Sequence, residues 1–574
     1  MKKRLRIVSA CILLVGAIFV VKLFSIQVVN GERFRERADR QYVTPNDSIF
    51  ERGSIMFMTK DGDAVSAATL KTGYKLAVIP TDLHDPEDVY AQLSEYIELD
   101  KSRFVEKASK ANDPYEDIID ELSKETADAI SALDIDGVRL YKHKWRAYPG
   151  DTLAAQTIGF MGYKGDELAG RYGIERYYNE TLVREDPNLY VNFFAEIFGN
   201  MGTVLSDSAT REGDVELTIE PVVQGYLQEA LQGIMEEWNS ESAGGIIMHP
   251  QTGAIYAMES VPSFDPNEYG SVDDIRIFSN PMVERVYEMG SIVKPLIMAA
   301  GIETGAVTAH TEYYDSGSVE VGDRTIRNYD RRGRGQVTMQ DVINESLNTG
   351  MVYVQQAMSK SDFKKYITSY NWGEKTGIDL PGEVSGLTSN IQSNRDVEYA
   401  NISFGQGIAM TPISMIRSLA SLANGGVLMQ PYVVQRIDYV GGLHDTIKPA
   451  QQARVLTQET TDEITRMLVE AVDSTLLGGD AKMDHYSIAA KTGTAQIPDP
   501  TGGYYSDRNL HSFFGYFPAY DPEFIVFLYT MHPQGVRYSS QTLAQPFMDM
   551  ADFLINYYQV PPDREPLPVS TENE

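Results

Sequence analysis

Ser291 and Lys294 stand three residues apart at the head of 287–301, Tyr-Glu-Met-Gly-Ser-Ile-Val-Lys-Pro-Leu-Ile-Met-Ala-Ala-Gly, a run that is apolar almost all round. Folded as a helix, this run has no polar face to offer to water. It must therefore be buried on most sides, through Ile292, Val293, Leu296, Ile297 and Met298. Positions i and i+3 are neighbours on a helix face. The Ser291 hydroxyl then lies within reach of the Lys294 amine, which apolar surroundings push toward its neutral, basic form. A pair of this kind activates a serine nucleophile without a histidine. Pro295 fits, because a proline in the first turn has no intrahelical N–H bond to lose.

By itself S-x-x-K is a weak signal, commonly a surface pair or a helix cap. The chain contains a second copy, Ser361-Asp-Phe-Lys364, in a polar stretch. What gives the first copy weight is its company in order: Ser346-Leu-Asn348 follows, then Lys491-Thr-Gly493. A compressed set, Ser361/Lys364, Ser369-Tyr-Asn371 and Lys375-Thr-Gly377, mimics this order within a few turns of chain. The chemistry needs three separate walls, namely a buried helix, a loop and a sheet-edge strand, and so short a segment cannot supply all three. Lys375 also runs into turn residues, whereas Lys491 follows Ser-Ile-Ala-Ala, a plausible strand entry. The outer set is taken as the active one.

At 574 residues the chain is long enough for two or three domains. A net charge of −31 argues against a nucleic-acid partner, which needs basic patches, and against broad adhesion to anionic lipid. The single cysteine, Cys11, excludes disulfides and cysteine-based metal sites, and the eight histidines show no ligand spacing, so no metal or cofactor is expected. Residues 1–6 form a basic start, and 7–29 are apolar apart from Lys22. As a helix 7–29 spans roughly 34 Å, enough to cross a bilayer with Lys22 reaching the interface. No small-residue cleavage site follows, so an uncleaved signal anchor is favoured over a cleaved signal peptide.

Residues 30–210 read as a mixed spacer or docking domain. Asp85-Pro and Asp113-Pro each look like a helix start, opening helices to about 97 and about 133. From Gly213 the texture changes. Residues 214–219 alternate like a strand and 221–238 read as an amphipathic helix. The stretches 244–248 and 254–258 flank a turn, as do 511–517 and 524–530, and 491–496 supplies a fifth strand. A helix over 541–558 closes the domain, and 561–574 look disordered. Strands at both ends with helices between give an α+β class: a five-stranded antiparallel sheet over 211–560 with a helical insert, an N-terminal mixed pedestal and one membrane helix.

With these motifs in place, the chain resembles a class B, monofunctional penicillin-binding protein over nearly its whole length. Besides S-x-x-K, S-x-N and K-T-G it carries Arg52-Gly-Ser-Ile55, Arg146-Ala-Tyr-Pro149, Tyr172-Gly-Ile-Glu175, Pro262-Ser-Phe-Asp-Pro-Asn267, Thr376-Gly-Ile-Asp-Leu-Pro-Gly-Glu383 and Ser403-Phe-Gly-Gln-Gly407. The resemblance implies an outward-facing, membrane-anchored D,D-transpeptidase that cross-links the stem peptides of peptidoglycan and is acylated by β-lactams. Ser291 would be the nucleophile and Lys294 its base. Ser346 would relay a proton, Asn348 would hold the substrate amide, and Lys491 would supply positive field. Thr492 and Thr494 would bind the terminal carboxylate, and Gly493 would let the substrate backbone lie along the strand edge. The N–H groups of Ser291 and Thr494 would form the oxyanion hole. Implied partners are a membrane glycosyltransferase and other division or elongation proteins, with the septal type favoured. Two rivals use the same motifs: a D,D-carboxypeptidase or β-lactam-hydrolysing or -sensing relative, and a catalytically silent scaffold of the wall-synthesis complex.

Overall fold

The computed structural model describes residues 51–110, 113–164, 167–184, 212–440 and 442–564. The basic segment 1–6, the apolar span 7–29 and most of the tail expected to be disordered lie outside the described residues. No described helix is long and apolar enough to cross a membrane. The tail's first residues are tied down, contrary to expectation. Asp563 accepts from the Ser487 N–H at 2.7 Å, and Arg564 pairs with Asp473 at 2.8 Å.

The contacts separate two compact units, and the division is not a single cut near 210: segments 53–69 and 147–184 belong with the large C-terminal unit. The first strands are β1 (Ile55–Met58) and β2 (Ala64–Val78). The second half of β2 belongs to the smaller unit, with helices α1 (Pro86–Leu93) and α2 (Lys101–Ala108), strand β3 (Glu116–Leu122), helix α3 (Lys124–Ser131) and strand β4 (Val138–Ala147). Leu76, Val78, Val89, Leu93, Phe104, Leu122 and Ile130 form its core. The Asp85 carboxylate caps α1 through the N–H groups of Glu87 and Asp88, with Pro86 at the first position, as expected. That helix stops at Leu93, short of 97. The helix expected from Asp113 does not form. Asp113 accepts from the Tyr115 N–H in a local turn, and the chain then pairs antiparallel with β2. A cap-and-proline signature is a local preference, and ladder bonding outweighs it here. Ser123 caps the helix that does follow.

In the larger unit β1 pairs with the start of β2 and, in parallel, with β5 (Gly213–Leu217). Helix α4 (Pro221–Glu237) leads into the main sheet. This sheet contains β6 (Ser242–Met248), β7 (Ile255–Val261), β8 (Ala489–Pro498), β9 (Tyr504–Phe517) and β10 (Phe524–Met531). It is antiparallel throughout, in the order β8-β9-β10-β6-β7. Consecutive residues point to opposite faces. Phe513 and Phe517 join Val223, Leu227, Phe547 and Leu554 on the face covered by α4 and the C-terminal helix Ala544–Tyr558. Phe514 and Tyr516 join Ile292, Leu296 and Ile416 on the other face. The helical insert lies between β7 and β8 in sequence. The five-stranded antiparallel sheet and α+β class read from the sequence are thus what the chain adopts.

Candidate active site

Gly290–Val293 form a 3₁₀ turn that runs directly into a helix, Lys294–Glu303, of which eight of ten residues are buried. Ser291 therefore lies just ahead of the α-helix, not inside it. In a 3₁₀ turn residues i and i+3 eclipse, which aligns Ser291 with Lys294 more directly than an α-helix would. The turn is held from two sides. Gly290 has φ +62° and donates its N–H to the Gly405 carbonyl at 3.2 Å. A Cβ there would come within 2.8 Å of the Thr494 carbonyl oxygen. Ser512 Oγ donates to the Met289 carbonyl at 2.9 Å.

Lys294 is 0 % exposed. Its Nζ donates to the Ser346 carbonyl at 2.6 Å and to Ser346 Oγ at 3.1 Å. Burial, aided by the neighbouring Lys491 charge, holds its ammonium well below the usual lysine range. A neutral amine bonded to the Ser346 hydroxyl and one 3₁₀ turn from Ser291 is a competent proton acceptor.

Ser346 follows the helix Met339–Asn344 and precedes the helix Asn348–Ala357. Its φ is +55°. Its N–H meets the Ile343 carbonyl at 3.4 Å, and the Leu347 N–H meets the Val342 carbonyl at 3.0 Å. These are the paired bonds of a helix end whose left-handed position glycine usually fills. Buried Val342 and Leu347 supply the matching apolar contact. A serine held there at a cost of about 1 kcal/mol is placed for its hydroxyl. Asn348 Nδ2 donates to the Arg327 carbonyl at 3.0 Å.

The third wall is β8, an edge strand paired among the described residues with β9 alone. Burial pushes the Lys491 ammonium down to about 8, and its Nζ donates to the Thr492 carbonyl at 3.1 Å. Thr492 and Thr494 line the cleft, and Thr494 Oγ1 accepts from the Ser539 N–H at 3.2 Å. Gly493 has a role the sequence did not reveal. A Cβ there would lie 2.4 Å from Ser512 Oγ and 2.9 Å from the Met289 carbonyl oxygen, so glycine lets the nucleophile turn press against the strand.

These walls enclose an open cleft of about 1830 Å³ lined by Ser291, Ser346, Asn348, Lys491, Thr492 and Thr494. None of the compressed set lines it. Ser361 is exposed on the helix Lys360–Ser369, and Lys364 reaches the Gln392 side chain. Thr376 and Gly377 close onto the Glu383 carboxylate, which ties the second Lys-Thr-Gly into a structural loop.

Sequence reasoning missed the support behind Ser346 and Asn348. Asp315, buried, accepts from Asn328 Nδ2 at 2.9 Å, Thr349 Oγ1 at 2.8 Å and the Arg334 N–H at 3.0 Å. Arg334 in turn holds Glu345 at 2.7 Å and Asp330 at 2.8 Å. No spacing rule links residues this far apart; only Thr349, directly after the Ser-Leu-Asn motif, carried a hint. Also unforeseen, Tyr504 donates to the Glu288 carboxylate at 3.0 Å, three residues before the nucleophile. Burial raises the Glu288 carboxyl above its usual range.

Comparison with known proteins fits this geometry. The family model for the penicillin-binding protein transpeptidase domain matches residues 243–551, and that for the penicillin-binding protein dimerisation domain matches 50–192. The chain is 31 % identical to the stage V sporulation protein D of Bacillus subtilis over 559 residues, covering 95 % of this chain and 84 % of that one. It is 24 % identical to the peptidoglycan D,D-transpeptidase FtsI of Escherichia coli over 567 residues, covering 95 % and 90 %. The crystal structure of penicillin-binding protein 2X from Streptococcus thermophilus shares its fold with a TM-score of 0.71 at 20 % identity, covering 90 % of this chain and 81 % of that one. The three walls, their order along the chain and these matches together place the chain in the penicillin-binding protein transpeptidase family, with the family's dimerisation domain ahead of the transpeptidase domain.

Proposed function

We propose that this chain is a class B peptidoglycan D,D-transpeptidase and that Ser291 carries the acyl group. The observation that carries the reading is the buried Lys294 amine, bonded to Ser346 and one 3₁₀ turn from Ser291, in a cleft whose far wall is the Lys491-Thr-Gly edge. Ser291 Oγ attacks the carbonyl between the two terminal D-alanines of a stem peptide, and Lys294 Nζ takes its proton. The C–N bond breaks, the proton passes through Ser346 Oγ to the departing amine, and D-alanine leaves. The amine of a neighbouring stem then attacks the ester, forming the new amide and returning the proton to Ser291.

The substrate backbone pairs with the open edge of β8, its terminal carboxylate meets Thr492 and Thr494, and Lys491 contributes positive charge. Asn348 holds the substrate amide. The N–H groups of Ser291 and Thr494 receive the developing oxyanion, typically worth roughly 3–4 kcal/mol per donor. β-Lactams acylate the same serine.

The basic start and the apolar span 7–29 support a single-pass anchor in the plasma membrane, with the catalytic side outside. A membrane glycosyltransferase and division proteins are the natural partners. Relatives named FtsI favour a septal role.

Labelling of the full chain in detergent with a fluorescent penicillin, followed by mass mapping, tests the assignment. The adduct is expected on Ser291, absent in Ser291→Ala and retained in Ser361→Ala. A label that survives Ser291→Ala overturns it.

A further inference from the structure

The chain is strongly acidic, yet its cleft is not. Six cationic side chains line it, Arg324, Arg327, Arg331, Arg395, Lys491 and Arg537, against two acidic ones, Glu345 and Glu398. Both acids are already engaged: Glu345 by Arg334 at 2.7 Å and Glu398 by Arg395 at 3.1 Å. Among the described residues, Arg324, Arg327 and Arg331 have no carboxylate within ion-pair distance, and all three are exposed. In a chain of net charge −31, three guanidinium groups without an ion-pair partner at one cleft form a local field of opposite sign to the rest.

That wall is built onto the site. Arg324 and Arg327 sit on the second strand of a hairpin, Ser318–Val321 with Arg324–Arg327, closed by Gly322 and Asp323. The Arg327 carbonyl is the acceptor for Asn348 Nδ2, so this arginine is tied by its backbone to the residue proposed to hold the substrate amide. The next residue, Asn328, is locked by Asp315 and by Thr349. Arg331 holds a left-handed backbone, φ +63°, in the turn closed by its N–H to the Asn328 carbonyl at 3.0 Å. The left-handed backbone fixes Arg331 in that turn at the cleft wall.

We propose that Arg324, Arg327 and Arg331 form a subsite for a free carboxylate on the donor stem peptide, at a residue ahead of its D-Ala-D-Ala terminus. The subsite selects peptides in which that carboxylate is ionised over peptides in which it is amidated. It is separate from the Thr492/Thr494 wall, which takes the terminal carboxylate, and it rests on the transpeptidase reading above. Guanidinium groups suit this task because their planar fork matches a carboxylate.

The test is protection of Ser291 from a fluorescent penicillin by two synthetic stem peptides ending in D-Ala-D-Ala. One has free side-chain or α-carboxylates upstream, and the other has the same groups amidated. Wild type should be protected by the free-acid peptide at a concentration about tenfold lower, a gap that narrows as salt is raised. In the triple variant Arg324→Gln, Arg327→Gln, Arg331→Gln the gap should close, with protection by the amidated peptide and the penicillin labelling rate itself unchanged. Equal protection by both peptides in wild type overturns the subsite, as does a triple variant that keeps the gap, or protection by neither peptide while penicillin still labels Ser291. Loss of labelling in wild type instead overturns the reading beneath it. A single variant, Arg331→Gly, relieves the turn's strain while removing the side chain, so weaker discrimination there separates the charge from any effect on folding.

Discussion

Ser291-Ile-Val-Lys294 and Ser361-Asp-Phe-Lys364 share a spelling and a place at the start of a helix. The helix behind the first buries eight of its ten residues, and the helix behind the second buries only Phe363 and Ile367. Lys294 is fully enclosed and donates hydrogen bonds to Ser346, whereas the half-buried Lys364 stretches to a glutamine at the surface. Spacing supplies reach, and desolvation supplies basicity. Only the first pair has both. The second is a surface helix start, with Ser359 as its cap.

The sharpest way to break this contrast is to treat the two lysines alike. Lys294→Met should slow penicillin acylation by about 10²–10⁴-fold, the usual worth of a positioned base, while Lys364→Met leaves it unchanged. Equal acylation rates in the two variants would erase the distinction.

Next in size is the pH response of the second buried lysine. Lys491 is held at about 8 by burial, against a usual value near 10.5. Acylation should fall as pH rises through about 8, where its positive charge is lost. Stability has the opposite sign. Between about 8 and 10.5 the unfolded chain binds the proton that the folded chain has released, so Lys491 makes folding more favourable as pH rises through that window, by on the order of 3 kcal/mol in total. Denaturant titrations at the two ends of the window, with Lys491→Met as control, read this directly. A control that gains as much as wild type refutes the assignment.

The smallest effect concerns Ser346. Ser346→Gly should stabilise the fold by about 1 kcal/mol, because glycine accepts the left-handed backbone freely. It should still slow acylation, because Lys294 loses its hydroxyl partner. Ser346→Ala should slow acylation similarly with no gain in stability. If the glycine variant is no more stable than the alanine variant, the backbone at 346 is not strained.

What was legible in the sequence is what depends on short-range pattern. Strand-like stretches flanking turns gave the sheet, the mostly apolar run around Ser291 and Lys294 gave the buried helix, and Asp85-Pro gave a cap. What depends on pairing at a distance was not legible. Asp113-Pro looked like a second cap, but the residues after it found a strand to bond. Asp315, Asn328 and Thr349 converge from separate elements, and no periodicity joins them. Gly493 looked like room for a ligand, and it also makes room for the nucleophile's own turn. Segments 53–69 and 147–184 read as pedestal but pack with the catalytic unit, because burial follows space and not chain order.

The strand order has a consequence in time. The central pairing of the main sheet joins Met248 to Ile525, with the whole helical insert between them in sequence. Contacts of such sequence separation close late, because the loop entropy is spent before any of them forms. The Lys491-Thr-Gly edge reaches the sheet only through the hairpin partner that brings Phe524–Met531. A chain emerging from its amino end therefore carries Ser291 and Lys294 long before it has a cleft. The reactive serine is assembled last, when nearly all of the polypeptide has been delivered, and a half-made molecule has no acylating centre to misuse.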